Sequence, residues 1–412
     1  MTNLSPGQSA GPGHVAIIGA GPSGCYTAIA LRRLIPDVEI TVFDRRVTPF
    51  GLIRYGVAAD HQGMKNVARQ FERLFTSPGV AFVGNTTIGD DLSLEDLDSA
   101  FDAVVIATGL PYDRRMEVPL HPEARVLGAG ELLRFLNADP DCVLRGSTVE
   151  SFGALGESVV VVGAGNVAMD VARLVCKTDD ELVGSDIDDE ARAVLGTENV
   201  RHIDIVARGP RDRVRWDSAM FRELCDLPGV QVRVDGEGVH EAADEGSGDA
   251  QVVVDIHFGV ETRAVNHRDG RTIVAGTRSG QPVGEVEFAA DTVITAIGFV
   301  PEGGDVDVAM AGTSVFRVGG AQSGVLGNLA ENRGVAKKAA AEIAAALSAG
   351  LGGKPGPAGV DHMLPDGVTD YADWCAIDHA EVGRALPGRC RTKFTSREAM
   401  LDVIRVDAPS LM

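Results

Sequence analysis

The chain has 412 residues, enough for two or three domains with ample core. Its 38 Lys and Arg stand against 59 Asp and Glu, and the formal net charge of −21 excludes general nucleic-acid binding and attachment to anionic membranes. No apolar run approaches a membrane span. The six cysteines contain no Cys-x-x-Cys pair, so neither a redox disulfide nor an iron–sulfur or structural zinc site is visible, no metal ligands are expected, and the thiols fit a reducing cytoplasm.

Residues 1–13 are polar and rich in Gly, Ser and Pro, which reads as a frayed tail and not as a signal peptide. The apolar run 15–18 predicts a strand buried on both faces. Gly19-Ala20-Gly21-Pro22-Ser23-Gly24 follows, then a helix over 25–34, then a strand at 40–43 that ends on Asp44. This is a dinucleotide-binding unit. The first glycine makes the tight turn, the second lets backbone approach a pyrophosphate, and the third lets helix pack on strand. The helix N-terminus offers unpaired N–H groups to the phosphates. Asp44 stands where a carboxylate accepts from both ribose hydroxyls and repels a 2′-phosphate, so the site suits FAD or NAD over NADP.

Residues 45–61 form a glycine-punctuated loop, followed by an expected helix over 65–75 and a strand at 80–83. A strand at 103–106 ends in Ala107-Thr108-Gly109, small residues beside which a cofactor fits, and 111–122 crosses to a second domain. The same grammar then repeats: a strand at 159–162, Gly163-Ala164-Gly165-Asn166-Val167-Ala168, a helix over 169–176 and a strand at 203–206. Ala168 replaces the third glycine, which the fingerprint tolerates. The last strand ends at Ala207-Arg208-Gly209-Pro210, with an arginine in place of the acid, so this second site reads as NADPH. Two nucleotide units of different ribose chemistry describe a flavoprotein that exchanges hydride with a nicotinamide; two copies of one site, or one dead copy, are the alternatives. Acidic 179–190 reads as a solvated helix face. Segments 230–234, 252–256, 271–277 and 286–288 read as strands of one meander, and 291–297 as a strand ending in Gly298. Glycine-rich 316–328 runs into a helix over 331–347, residues 349–359 read as a flexible linker, and 384–397 is basic.

On these residues the chain resembles the adrenodoxin-reductase-like ferredoxin–NADP reductases, two-dinucleotide flavoproteins related to glutathione reductase. Gly51-Leu52-Ile53-Arg54-Tyr55-Gly56-Val57-Ala58-Ala59-Asp60-His61 is similar to that family's flavin-side loop, and Tyr112-Asp113-Arg114-Arg115 to its domain crossing. Asn166-Val167-Ala168-Met169-Asp170-Val171-Ala172-Arg173 resembles its pyrophosphate helix, and Ser185-Asp186-Ile187 resembles a part of its following helix. Trp374, Ile377-Asp378, Glu381 and Arg391-Thr392-Lys393-Phe394 resemble its C-terminal segment.

The resemblance implies an α/β fold of two Rossmann-like dinucleotide-binding domains, glutathione-reductase-like, with an NADPH domain (114–290) inserted into the FAD domain (14–113 and 291–412). It implies FAD at Gly19, Gly21, Pro22, Ser23, Gly24, Asp44, Arg45, Gly51, Leu52, Thr108 and Gly109, with Gly319, Gly324, Val325 and Leu326 near the ring. It implies NADPH at Gly165, Asn166, Val167, Ala168 and Arg208, and pairs His61 with Glu223 as a gate or proton relay. The departures are Ala207, where the family has the first of two arginines, an altered 216–223, and a shortened 318–328 without its tryptophan. The implied activity is an FAD-dependent ferredoxin–NADP(+) reductase, which takes hydride from NADPH and passes single electrons to a ferredoxin-type iron–sulfur protein. It is expected as a cytoplasmic monomer or weak homodimer. The alternatives are an NAD(P)H oxidase or diaphorase, a dedicated reductase of a biosynthetic oxygenase, and a flavin-binding protein with an inactive nicotinamide domain. Arg208, Arg211, Arg213, Arg215, Arg389, Arg391 and Lys393 are the expected docking patch for an acidic partner.

Overall fold

The computed structural model describes residues 13–145, 152–214, 216–239, 251–279, 284–302, 315–324, 329–349 and 353–407. Val325, Leu326, Arg215 and the tail 1–12 lie outside the described residues. The strands in chain order are β1 (His14–Ile18), β2 (Glu39–Phe43), β3 (Val80–Val83), β4 (Ala103–Ile106), β5 (Tyr112–Asp113), β6 (Val126–Gly128), β7 (Ser158–Val162) and β8 (His202–Val206). They continue as β9 (Val230–Val234), β10 (Glu237–Gly238), β11 (Val252–His257), β12 (Val260–Arg268), β13 (Arg271–Arg278), β14 (Glu285–Ala290), β15 (Thr292–Thr295), β16 (Phe299–Val300) and β17 (Val315–Arg317).

Two parallel sheets organise the chain. The first runs β17-β4-β1-β2-β3, and the second runs β10-β9-β11-β8-β7-β15-β6 with only the short β10 edge antiparallel. Parallel strands covered on both faces must be apolar throughout, and Val15, Ala16, Ile17 and Val159, Val160, Val161 are accordingly buried. Helix Pro22–Leu34 packs on helix Leu329–Ser348, whose Ala336, Ala339, Ala340 and Ile343 are buried; small side chains permit the close approach. The two crossings between the sheets meet as an antiparallel pair, β5 with β16. Asp113 of that pair accepts the N–H groups of Gly130 (2.8 Å) and Glu131 (2.9 Å), which caps helix Ala129–Leu136 and ties the crossing to the second sheet.

Several expectations need correction. β15 pairs with β7 and β6, so it belongs to the second sheet, and the return crossing lies at Phe299–Val300 and not at 291. The expected single meander divides: β9 and β11 join the second sheet in parallel, while β12, β13 and β14 form a separate antiparallel sheet. Buried valines of β7, β8, β12 and β13 hold that sheet against the second one. The helix expected over 65–75 breaks into Gln62–Lys65 and Ala68–Phe75, because Lys65 turns inward to a buried carboxylate. The second half of the supposed linker is docked, with a turn at Gly356–Gly359 pressed on His14 and Ala100. Among the described residues, no helix is long and apolar enough to cross a membrane.

Candidate coenzyme sites and the contact between them

The first turn is set by close approach of backbone. Gly19 has φ +110°, and a Cβ there would stand 2.6 Å from the Ala107 carbonyl oxygen. A Cβ at Gly24 would collide with the Gly19 carbonyl oxygen, so helix Pro22–Leu34 reaches this close to its strand only with glycine at 24. Among the described residues, nothing stands within 4 Å of a Cβ at Gly21 or Gly109, which leaves backbone open to a ligand. Asp44 Oδ2 accepts from Ala20 N–H (2.8 Å) and Oδ1 from Arg46 N–H (2.9 Å), so the carboxylate is held at the turn. Burial pushes its carboxyl above the ordinary range, and those N–H groups together with the Arg46 guanidinium oppose the shift.

Several of the other residues expected around FAD lie against this turn. A Cβ at Gly51 would stand 3.1 Å from Gly21 Cα, which brings the loop carrying Leu52 against the turn. Gly319, at φ +63°, lies directly on Ser23, and Gly324 has φ +65°. Thr108 and Gly109 follow Ala107 beside Gly19. Arg45 Nη1 pairs with the exposed Glu302 at 2.7 Å, and Glu302 also accepts from the Tyr112 hydroxyl at 2.7 Å.

The second turn repeats the first strain. Gly163 has φ +113° and presses on the Ala296 carbonyl, while no described residue stands within 4 Å of a Cβ at Gly165. A cleft of about 930 Å³ lies here, between the ends of β7 and β8 and the start of β12. Gly165, Arg208 and Arg213 line it, and so do Arg114 and Arg115 of the crossing, which sequence reasoning did not assign to a coenzyme. Asn166 accepts the Asp217 N–H at 2.6 Å through Oδ1 and so positions the altered segment 216–223. Val167 and Ala168 continue the helix Asn166–Cys176 at whose start the turn ends.

His61 and Glu223 meet across the two domains, with Nε2 3.0 Å from Oε2. Around them lies a network that no motif announced. Asp170 Oδ1 is 3.5 Å from His61 Nδ1 and accepts from Arg173 at 2.6 Å. Arg173 and Lys177 both reach Asp60, Lys177 at 2.6 Å. Burial, reinforced by the Glu223 charge and opposed by His61, raises the Asp170 carboxyl to about 7, and burial lowers Arg173 to about 10.

The acidic stretch 179–190 is not simply a solvated face, and 185–187 lies between the short turn Asp180–Leu182 and the helix Asp189–Leu195, not within a helix. Asp186 is 4 % exposed and pairs with Lys65 (2.7 Å) and Lys393 (2.8 Å). Burial and the neighbouring Lys65 and Arg54 lower Lys393 to about 7, despite the opposing pull of Asp186. The tail residues expected to dock a partner are engaged at home: Lys393 in this cluster, Arg389 on Asp189 at 2.6 Å, and Arg391 on Asp378. Arg208, Arg211 and Arg213 remain exposed.

Residues 13–318 match the family model described as pyridine nucleotide-disulphide oxidoreductase. The chain is 36 % identical to cindoxin reductase of Citrobacter braakii, over 95 % of this chain and 91 % of that protein. It is 37 % identical to the probable mitochondrial NADPH:adrenodoxin oxidoreductase of Schizosaccharomyces pombe, over 52 % of this chain and 45 % of that protein. FprA of Mycobacterium tuberculosis, solved in complex with NADPH, shares the fold at a TM-score of 0.81 and 24 % identity, over 95 % of this chain and 99 % of that one. The chain belongs to the pyridine nucleotide-disulphide oxidoreductase family. Within this family it departs from the disulphide chemistry of the name: all six cysteines are free, with Cys25, Cys142, Cys176 and Cys225 buried and only Cys375 and Cys390 exposed. Burial raises the Cys142 thiol, helped by the adjacent Glu131 carboxylate, and raises that of Cys176 to about 12, which keeps them inert.

Proposed function

We propose that the protein is an FAD-dependent reductase that takes hydride from NADPH and delivers single electrons to a ferredoxin-type iron–sulfur protein. One observation carries this reading: the chain holds two dinucleotide turns, one followed by Asp44 and the other by Arg208 at the ribose corner, His61 and Glu223 join the two units, and all six cysteines are free. The electrons therefore leave to an external acceptor. The relatives named as cindoxin, adrenodoxin and NADPH-ferredoxin reductases support an iron–sulfur acceptor.

The residues present fit both groups. The open backbone at Gly21 and Gly165 admits pyrophosphates, and the carboxylate of Asp44, fixed by two N–H groups, accepts ribose hydroxyls of FAD. Arg208, with Arg213 in the same cleft, faces the 2′-phosphate of NADPH. Bound FAD supplies the conversion of a two-electron donor into single electrons, and the protein supplies orientation and electrostatics. The His61–Glu223 contact spans the two coenzyme units, so it opens or closes as the nicotinamide arrives, and Asp170 is placed to hold a proton beside His61.

Anaerobic addition of NADPH to the purified holoenzyme should bleach its flavin absorbance, and reduction of cytochrome c should require added ferredoxin. Flavin that NADPH leaves oxidised indicates an inactive nicotinamide domain. Rapid electron transfer to oxygen or dyes with no stimulation by ferredoxin indicates the oxidase or diaphorase, a reading favoured by the engagement of the tail cations within the chain.

A further inference from the structure

Away from both coenzyme turns, one face of the second sheet carries a cluster of imidazoles and carboxylates. His202 and Asp204 lie two apart on β8, and Asp255 and His257 two apart on β11, with Asp204 and Asp255 in register. Alternate residues of neighbouring strands share a face, so all four project to the same side. His202 Nε2 stands 3.3 Å from Asp204 Oδ2 and 3.5 Å from Asp255 Oδ2. Ligand atoms around a tetrahedral zinc ion, at bonds of about 2.0–2.2 Å, are separated by about 3.3–3.6 Å.

The other oxygen of each carboxylate is already held. Asp204 Oδ1 accepts from His257 Nε2 at 2.7 Å, and Arg278 donates to His257 Nδ1 at 3.4 Å, which leaves the ring proton on Nε2. Asp255 Oδ1 lies 3.7 Å from Arg233 Nε. Such outer contacts orient metal ligands and tune their affinity. The two carboxylates are nearly buried, at 16 % and 14 % side-chain exposure, while His202 is 40 % exposed and opens the cluster to solvent.

We propose that His202, Asp204 and Asp255 form a binding site for a divalent transition metal of the zinc class, with the fourth position open to water. One imidazole and two carboxylates suit a borderline ion, whereas magnesium and calcium take oxygen ligands in larger number. Arg233 and His257 stand against the outer oxygens, so the two inner oxygens of Asp204 and Asp255 share only His202 between them, and a divalent ion there engages both. The site lies on the strands themselves, while the coenzyme cleft lies past their carboxyl ends at Arg208, so occupancy is independent of the proposed electron transfer.

A second group, His121, Glu123 and His267, is also close enough to share an ion. There the His121 Nδ1 accepts the Glu123 N–H at 3.2 Å, and the test removes this rival. Chelator-treated holoenzyme carrying His121→Ala is dialysed against zinc(II), and bound metal is counted. About one zinc per chain is expected at neutral pH, with weaker binding at lower pH as protons compete for His202. Asp204→Asn and His202→Gln should each weaken binding by more than about tenfold, and His257→Gln by about tenfold through the lost orientation of Asp204. Flavin content and reduction by NADPH should stay unchanged and report an intact fold. Absence of zinc binding, or binding that survives the Asp204→Asn, His202→Gln double variant, overturns the site.

Discussion

The two dinucleotide turns obey one backbone rule and differ where ligands are selected. Gly19 and Gly163 share a φ near +110° and press on the carbonyls of Ala107 and Ala296, each at the end of a neighbouring strand. The turns part company at the third position, Gly24 against Ala168, and at the ribose corner, Asp44 against Arg208. Crowding of strand, turn and helix is a property of the unit and admits little change, whereas the ribose corner faces the coenzyme and is free to choose it. The largest effect should come from exchanging the third position. Gly24→Ala drives a methyl into the Gly19 carbonyl, so the variant should be recovered without flavin or insoluble. Ala168→Gly relieves nothing and costs about 1 kcal/mol of helix propensity, so flavin content should be unchanged. A flavin-to-protein ratio near one in Gly24→Ala would break the comparison.

At the ribose corners the effects should be of similar size and opposite address. Asp44→Asn removes a charged acceptor from buried donors, worth about 1.5–3 kcal/mol, or ten- to a hundredfold in flavin affinity. Release of FAD into ultrafiltrate measures it, and the Michaelis constant for NADPH should not move. Arg208→Ala should raise that constant ten- to a hundredfold and leave FAD in place. If either variant alters the other coenzyme, the two corners are not the independent selectors that the geometry implies.

The two turns were legible because their signal is local: glycine spacing, an apolar run before it, and one residue at the tip of the next strand. Sheet membership was not. Thr292–Thr295 is a plain apolar strand, and only its register between β7 and β6 places it in the second sheet. Val230–Val234 alternates like a meander strand yet pairs in parallel, because β11 and β8 continue the sheet beyond it. The buried charges were illegible for another reason. Lys65, Asp186 and Lys393 meet from three distant segments, and each alone reads as a surface residue. The His61–Glu223 contact came from resemblance, and the structure adds Asp60, Asp170, Arg173 and Lys177 around it.

Asp170 sharpens the comparison, since the helix Pro22–Leu34 of the first domain carries Tyr26 at the matching position and no acid anywhere. Its carboxyl, raised to about 7 by burial, keeps its proton in the folded chain at pH values where an unfolded aspartate has lost it. The folded state therefore binds more protons between about pH 4 and 7, and this group's contribution to stability falls as pH rises through that window. Asp170→Asn does not titrate. The Tm of wild type minus that of the variant should decline from pH 5 to pH 8, and a flat difference removes the raised carboxyl from the site.

The smallest effect concerns the missing first arginine. Ala207 follows β8 and is buried, and no guanidinium stands at that position. Arg211 and Arg213 both follow in the loop, but only Arg213 lines the coenzyme cleft. Arg213, exposed like Arg208, stands farther from the strand in a short turn beyond Pro210, so holding it on the phosphate also orders that turn, and its charge is screened by solvent. A solvent-screened contact of this kind is worth about 0.2–1 kcal/mol, a factor of up to about five in kcat/KM for NADPH. Arg213→Ala should lower the NADPH-to-NADH ratio of kcat/KM by that factor, whereas Arg211→Ala should leave it unchanged. The double variant Arg208→Ala, Arg213→Ala should lose more than the sum of the two free energies if both cations share one phosphate. Simple additivity assigns them to separate parts of the coenzyme, and an unchanged ratio in Arg213→Ala leaves Arg208 as the sole selector at this corner.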